Sequence, residues 1–402
     1  MITTPAYPLT AARAAFPIAE RLTYLNHASI SPMPLPAAQA MQRATLWLAD
    51  DPMTFFTPGS EVGYGDLFAT FSQEMAALIG AAHPHEVVGT QSTSSGINAV
   101  AQAIDWRPGD NIVLVDVEFP SNVYPWMVLG RRGVECRLAP ADGGGATVEA
   151  LDALTDERTR LIAVSAVQFF TGQRADLAAI GAYCQQRGIL FAVDAIQAAG
   201  HLPIDVEAMH IDILASGGQK SLMGPPGQGF LYVREAVAER MVPGIVGPNA
   251  TDGWEHWIQY DLTPRPGAQR FMMGTPNIAG MIGLIESVRF LRGLGVASID
   301  TWTRHLSGVT IAELSARGQH IITPSDPAHL GPIVTLRVGD PADLPAAEAR
   351  ANGLLDHLAA HGVRVTKHWD AARAPHLRIS THCYNTEDEV RRACALVEDY
   401  HG

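Results

Sequence analysis

Two residues whose types and spacing could do chemistry stand 26 positions apart in the stretch GILFAVDAIQAAGHLPIDVEAMHIDILASGGQKSLMGPPGQGFLYV, residues 188–233. Asp194 follows the apolar run Ile189 to Val193, and Lys220 lies beyond the apolar run Ile211 to Leu214. Ser216, Gly217 and Gly218 precede the Lys, and Gly224, Pro225, Pro226 and Gly227 follow it, so it stands on a tight loop with little side-chain cover. An amine in apolar surroundings loses hydration, and its pKa falls toward the range where the free base attacks a carbonyl. A Lys on such a loop can equally be a surface residue, and an Asp after a strand can be a helix N-cap.

Pyridoxal 5'-phosphate is the cofactor that needs this pair. A Lys holds its aldehyde as a Schiff base, and a carboxylate keeps the pyridine nitrogen protonated so that the ring withdraws electrons. The runs VDAIQAAGHLPIDV and SGGQKSLMGPPGQGFLYV closely resemble the Lys-bearing segment of the class V aminotransferases, the group that includes cysteine desulfurases, carbon-sulfur lyases and isopenicillin N epimerases. The resemblance extends over residues 20–400 or so. It implies an α/β protein of the fold type I class of pyridoxal-phosphate-dependent transferases. Such a protein has a mostly parallel seven-stranded sheet in a large domain (20–280) and a smaller α/β domain built from 1–19 and 281–402.

The elements that must position the pair can be read from periodicity. VVGTQSTSSGINAVAQAI reads as a strand, a hydroxyl-rich turn and a helix starting near Ser95 or Gly96, with Ile97, Val100, Ala101 and Ile104 on one face. Thr93 and Ser94 then sit at a helix N-terminus, where unpaired N–H groups, the dipole and two hydroxyls suit an anion. Either hydroxyl can also be only a cap; in the family this segment grips the cofactor phosphate. The strand Ile112 to Val115 ends in Glu118, Phe119 and Pro120, and Phe119 could stack on a pyridine ring or belong to the core. Desulfurases of the related group carry His at the place of Phe119, so an acid or base is missing here. After the strand Leu161 to Val167, Gln168 is the polar residue nearest the expected ring, and the resemblance places Gln197 at the cofactor's phenolic oxygen. Arg174 reads as a structural ion pair.

Further roles rest on the resemblance. Ser216 would contact the phosphate, although the family more often has Ser or Thr where Gly217 stands and His where Gln219 stands. YLNHASISP (24–32) is similar to a family segment bordering the active site, which puts Asn26 and His27 near the substrate; a structural turn is the other reading. RFMMGTP (270–276) is similar to the family's RFExGTP, with Met272 replacing the acid. Thr275 would then reach the phosphate of the other subunit, making a homodimer with shared active sites. Arg378 in HLRISTHCYNT aligns with the Arg that pairs with a substrate α-carboxylate, a match of two parallel hydrogen bonds; an Arg on an edge strand is otherwise merely solvated. Residues 242–270, rich in Pro, Gly and aromatics (Trp254, His256, Trp257, Tyr260), form the expected specificity loop.

Composition narrows the partners. With 28 basic against 41 acidic residues, a formal net charge of -13, the chain is a poor match for nucleic acid or an anionic membrane surface, and small-molecule amino acids are the expected partners. Four scattered cysteines (136, 184, 383, 394) without CxxC spacing suggest reduced thiols and no metal site. With no signal-like start and no apolar run near the ~18 residues of a membrane helix, a cytoplasmic location is expected. No GxGxxG or GxxxxGK[ST] turn follows a strand, which counts against a nucleotide-binding enzyme.

The expected reaction is α-carbon chemistry on an amino acid, with Lys220 taking the α-proton. Persulfide-forming desulfurases use a mobile-loop Cys, which would fall between Gly362 and Arg378, and none is present there. The first expectation is therefore β-elimination from a cysteine-like or cystine-like substrate. Transamination and epimerisation stay open, as does a non-catalytic binding protein that keeps the fold.

Overall fold

The computed structural model describes residues 5–57, 59, 60, 64–141, 144–252 and 258–400. Its centre is a seven-stranded sheet formed by β1 (Val87–Thr90), β2 (Asn111–Val115), β3 (Glu135–Ala139), β4 (Thr159–Ser165), β5 (Leu190–Asp194), β6 (Ile213–Gly217) and β7 (Gly229–Val233). The spatial order is β1-β7-β6-β5-β4-β2-β3, and only β7 runs antiparallel to its neighbours. Strands β2, β6 and β7 are buried at every position, as expected of a sheet covered on both faces.

The two-residue alternation divides the strands between two cores. Val113, Ile162, Val164, Phe191 and Val193 face one side, packed by α2 (Tyr64–Ile79), α4 (Leu177–Arg187) and α5 (Ile278–Leu294). Ile112, Leu114, Leu161, Ala163, Ala192 and Ile213 face the other, packed by α3 (Thr93–Ala103). Helix α1 (Leu35–Asp50) lies against α5. Gly188, at φ +66°, closes α4 in the left-handed conformation and returns the chain directly into β5.

A second sheet, wholly antiparallel, has the order β10-β11-β9-β8, formed by β8 (His320–Ile321), β9 (Ile333–Arg337), β10 (Thr366–Trp369) and β11 (Pro375–Ser380). It has its own core with α6 (Val296–Ala316), α7 (Leu344–Ala360) and α8 (Glu387–Glu398). The capping box expected at Thr386 and Glu389 opens α8, and Cys394 lies in this core. Arg174 is ion-paired to Asp300 of α6. Met281, Leu284, Ile285 and Val288 of α5 belong to the large-sheet core. We therefore propose drawing the domain boundary at Gly295, after α5, and not at residue 281. Phe16, near the N-terminus, stacks on Tyr384 and also meets Phe290, and so joins the two regions.

Three local expectations shift. Helix α3 begins at Thr93 because Ser92 caps it, its Oγ accepting from Ser95 N–H while Ser95 Oγ accepts from Ser92 N–H. Asp194 is the last residue of β5, paired opposite Ala215. The strand carrying Arg378 is interior, flanked by β9 and β10. Of the expected specificity loop, Trp254, His256 and Trp257 lie outside the described residues, and Tyr260 is exposed.

Candidate active site

At the carboxyl ends of β5 and β6 lies a cavity of about 320 Å³. Asp194, Lys220, Thr93, Ser94, Phe119 and Arg378 all line it, so six of the residues singled out above converge from regions up to 285 positions apart. Ser29, Ser92, Ser121, Phe169, Gln219 and His368 complete most of the wall.

The Lys220 loop joins two antiparallel neighbours, β6 and β7. Gly218 N–H donates to the Gln228 carbonyl and Gly224 N–H to the Gly218 carbonyl, both at 2.7 Å. A Cβ on Gly218 would lie 2.7 Å from the Gln228 oxygen, so the loop closes only around glycine. Lys220 Nζ sits 5.0 Å from the centre of the Phe119 ring, which itself meets Phe169 edge-on at 5.0 Å. Burial pulls the Lys220 ammonium down to about 8; Asp194 opposes the fall and Arg378 adds to it. Burial also pushes the Asp194 carboxyl up to about 7, opposed by the Ile196 N–H at 2.9 Å and by Lys220, and assisted by Glu118. The pair thus contains an amine that gives up its proton near neutrality beside a carboxyl that can keep one.

Glu118 supports this arrangement and was not marked by any sequence pattern. Its buried carboxylate accepts from Ser165 N–H (2.8 Å), Ser165 Oγ (2.5 Å), Gln168 Nε2 (2.7 Å) and Asn122 Nδ2 (3.0 Å). Burial raises its pKa nonetheless. Gln168 is fully buried, and its Oε1 is left without a partner.

The N-terminus of α3 opens on the same cavity. Thr93 is tied down, its Oγ accepting from Gly217 N–H at 2.8 Å, which fixes the helix start against the end of β6. Ser94 Oγ lies 2.7 Å from Ser121 Oγ. Together with Ser92 these hydroxyls surround unpaired N–H groups, a setting for an anion.

Arg378 supplies the opposite charge for a second anion. It is 2 % exposed, donates to the Phe169 carbonyl at 2.7 Å and to Ser29 Oγ at 2.8 Å, and leaves Nε without a partner. Among the described residues no carboxylate pairs with it, and burial draws its pKa down to about 10. A buried cation without a counter-ion is costly unless a ligand brings one.

Several expected positions fall elsewhere. Ser216 turns its hydroxyl to the Gly217 carbonyl and does not line the cavity. Gln197 donates to the Ala28 carbonyl at 2.9 Å. Ala28 and Ser29 reach the wall, whereas Asn26 and His27 do not; His27 lies 3.0 Å from Ser31 Oγ and packs against His382 and Tyr384. Thr275 lines a different cavity, of about 640 Å³, with Pro243, Ile245 and Met273. The wall residues Ser29, Ser121, Phe169 and His368 escaped sequence reasoning because no local pattern marks them.

With this geometry in view, the comparisons with known proteins are specific. The family model "Aminotransferase class-V" matches residues 24–393. A probable cysteine desulfurase of Methanothermobacter thermautotrophicus is 30% identical over 97% of both chains. The apo structure of a cysteine desulfurase from Thermococcus onnurineus superposes with a TM-score of 0.85 at 24% identity, over 99% of this chain and 98% of that one. The cystine C-S lyase C-DES, solved in complex with its reaction product cysteine persulfide, gives 0.84 at 24% identity, over 96% and 99%.

The chain belongs to the class V aminotransferase family. It is a pyridoxal-phosphate-dependent enzyme of the fold type I class, and its cavity fits that cofactor. Lys220 would hold the aldehyde carbon, Asp194 the ring nitrogen, Phe119 the ring face, and the α3 N-terminus with Ser94 and Ser121 the phosphate. When bound, the cofactor supplies an electron sink for the amino-acid α-carbon.

Proposed function

We propose that the enzyme eliminates the β-substituent of a cysteine-like or cystine-like amino acid. The observation that carries the amino-acid reading is Arg378, a buried guanidinium without a counter-ion in the same cavity as Lys220. It would take the α-carboxylate with two parallel hydrogen bonds. Lys220, whose amine deprotonates near neutrality, removes the α-proton, and Asp194 holds a proton on the ring nitrogen. The apolar Phe119 and Phe169 limit water at the reacting carbon.

The positions of the thiols favour elimination over a persulfide route. Cys184, Cys383 and Cys394 are buried in cores, and burial pushes Cys184 and Cys394 up to about 12. Cys136 is half-buried on β3, at the far edge of the sheet. Burial raises it to about 11, far above where a thiolate nucleophile works.

The reading includes a homodimer in which Thr275 serves the partner's site. Thr275 lies outside its own chain's Lys220 cavity, in a cavity lined also by the exposed apolar side chains Ile245 and Met273, which suit an interface. A cytoplasmic location completes the reading; among the described residues no helix is long and apolar enough to cross a membrane.

The test is product analysis of the holoenzyme with cysteine, cystine and alanine. Pyruvate, ammonia and a sulfur product are expected from the first two. Alanine formed from cysteine would replace elimination with desulfuration, and transfer of the amino group to a keto acid would replace it with transamination.

A further inference from the structure

His368 lies on β10 and its ring reaches the cavity wall, while its neighbours Lys367 and Trp369 turn to the other face and bind Glu348. The ring meets Phe169 edge-on at 5.7 Å. Its Nε2 is buried and has no hydrogen-bond partner, an unusual state for a polar atom beside an active-site lysine. The charged and titratable groups around it are Arg378 and the cross-strand partner His376 from β11, Lys220 from the β6–β7 loop and Asp194 at the end of β5; Phe119, Phe169 and Ser29 contribute no charge. Burial, then Arg378 and Lys220, hold its pKa at about 4, so the imidazole is neutral near pH 7.

Two groups in this wall exchange a proton near neutral pH. Lys220 takes the α-proton and Asp194 serves the ring nitrogen, so neither is free for the departing group. Phe119 carries no titratable proton.

We propose that His368 faces the β-substituent of the bound amino acid and protonates the sulfur that leaves it. This rests on the elimination reading above. Pairing of Arg378 with the substrate carboxylate cancels one charge that disfavours imidazolium, and the negative charge growing on the departing sulfur offsets the larger cost of burial, so His368 takes a proton from solvent as the bond breaks. In the reaction the Cα–H bond breaks and its proton goes to Lys220 Nζ. The Cβ–S bond breaks with its electron pair on sulfur, the His368 proton joins that sulfur as a thiol, and a Cα=Cβ double bond forms. His368 ends neutral, ready for the next cycle.

The test compares the wild-type holoenzyme with His368→Ala and His368→Gln on two substrates. S-methylcysteine releases a thiolate that needs a proton, whereas β-chloroalanine releases chloride, which does not. Loss on S-methylcysteine should exceed loss on β-chloroalanine by on the order of 10²-fold, the scale of general-acid help. Equal losses on both would make the residue structural and overturn the proposal. Calorimetric binding adds a readout free of turnover. Wild type should bind 3-mercaptopropionate several-fold more tightly than propionate, and His368→Ala should erase that preference; a preserved preference also overturns the proposal. If the wild type releases pyruvate from neither amino acid, the elimination reading itself fails, and the calorimetric preference then decides the His368 contact separately.

Discussion

Two cavities of this molecule, the one beside Thr275 and the one around Lys220, differ in what they hold more than in how large they are. The one beside Thr275 has about twice the volume, yet its lining of Phe68, Val88, Met272, Met273, Asn98 and similar residues includes no ionisable side chain. The smaller one gathers Lys220, Asp194, His368 and Arg378, each shifted by burial away from its ordinary pKa. Shape alone would favour the larger cavity. Unpaired charge in a desolvated wall is what marks chemistry, because holding it there costs stability that only function repays.

The strongest way to break this contrast is Lys220→Ala. It should remove both the visible absorbance of the holoenzyme and its turnover, and a variant that kept normal turnover would sink the assignment of the smaller cavity. Next comes Arg378→Ala, which should weaken amino-acid binding by about 2 to 4 kcal/mol, the scale of a lost charge-assisted pair. An unchanged KM would remove Arg378 from the site. Since its charge has no internal partner, Arg378→Met should leave the melting temperature of the apoprotein unlowered, whereas a structural arginine would be missed.

A finer test uses pH. The rate at which acetic anhydride labels Lys220 of the apoprotein, followed by mass spectrometry, should rise with pH around a midpoint of about 8. Asp194→Asn removes the charge that favours the ammonium, so the midpoint should fall. Arg378→Ala removes a cation that disfavours it, so the midpoint should rise. Shifts of the opposite sign would contradict the arrangement of charges described here. The smallest effect is expected from the larger cavity. Thr275→Ala should leave that midpoint alone and cost about 1 kcal/mol of cofactor binding, the net worth of one hydrogen bond, seen as several-fold faster loss on dialysis. Unchanged retention in a protein shown by sedimentation to be a dimer would remove Thr275 from the shared site.

Part of this site was legible in the sequence for a physical reason. Asp194 and Lys220 end or follow strands whose apolar runs are unmistakable, and the Gly and Pro residues around Lys220 announce a tight loop. Most strands of the large sheet follow from similar runs, whereas its seven-stranded form came from the resemblance and the half-exposed edge strand β3 has no such run. Arg378 was harder, because whether its strand is interior depends on β10 adding outside β11, and the short VRVTKHW run does not reveal which edge it joins. The start of α3 slipped by two or three residues because Ser92 and Ser95 form a capping box with two hydroxyls in place of the hydroxyl and acid that usually announce one. Glu118, Ser29 and His368 carry no local signal, since the site residues they meet, Ser165, Arg378 and Lys220, come from 47, 349 and about 150 residues away. Ser216 and Gln197 have plausible residue types, but backbone carbonyls nearer than the cavity take their hydrogen bonds.

One feature of the architecture bears on how such an enzyme changes over generations. The residues expected to hold the cofactor stand on the large sheet and its loops, while Arg378 and His368 stand on the second sheet, which has a separate core. A mutation that adjusts β10 or β11 therefore perturbs what is recognised without loosening what does the electronic work. Preferences for carboxylate and leaving group can be sampled one strand at a time while the residues that would hold the cofactor stay in place.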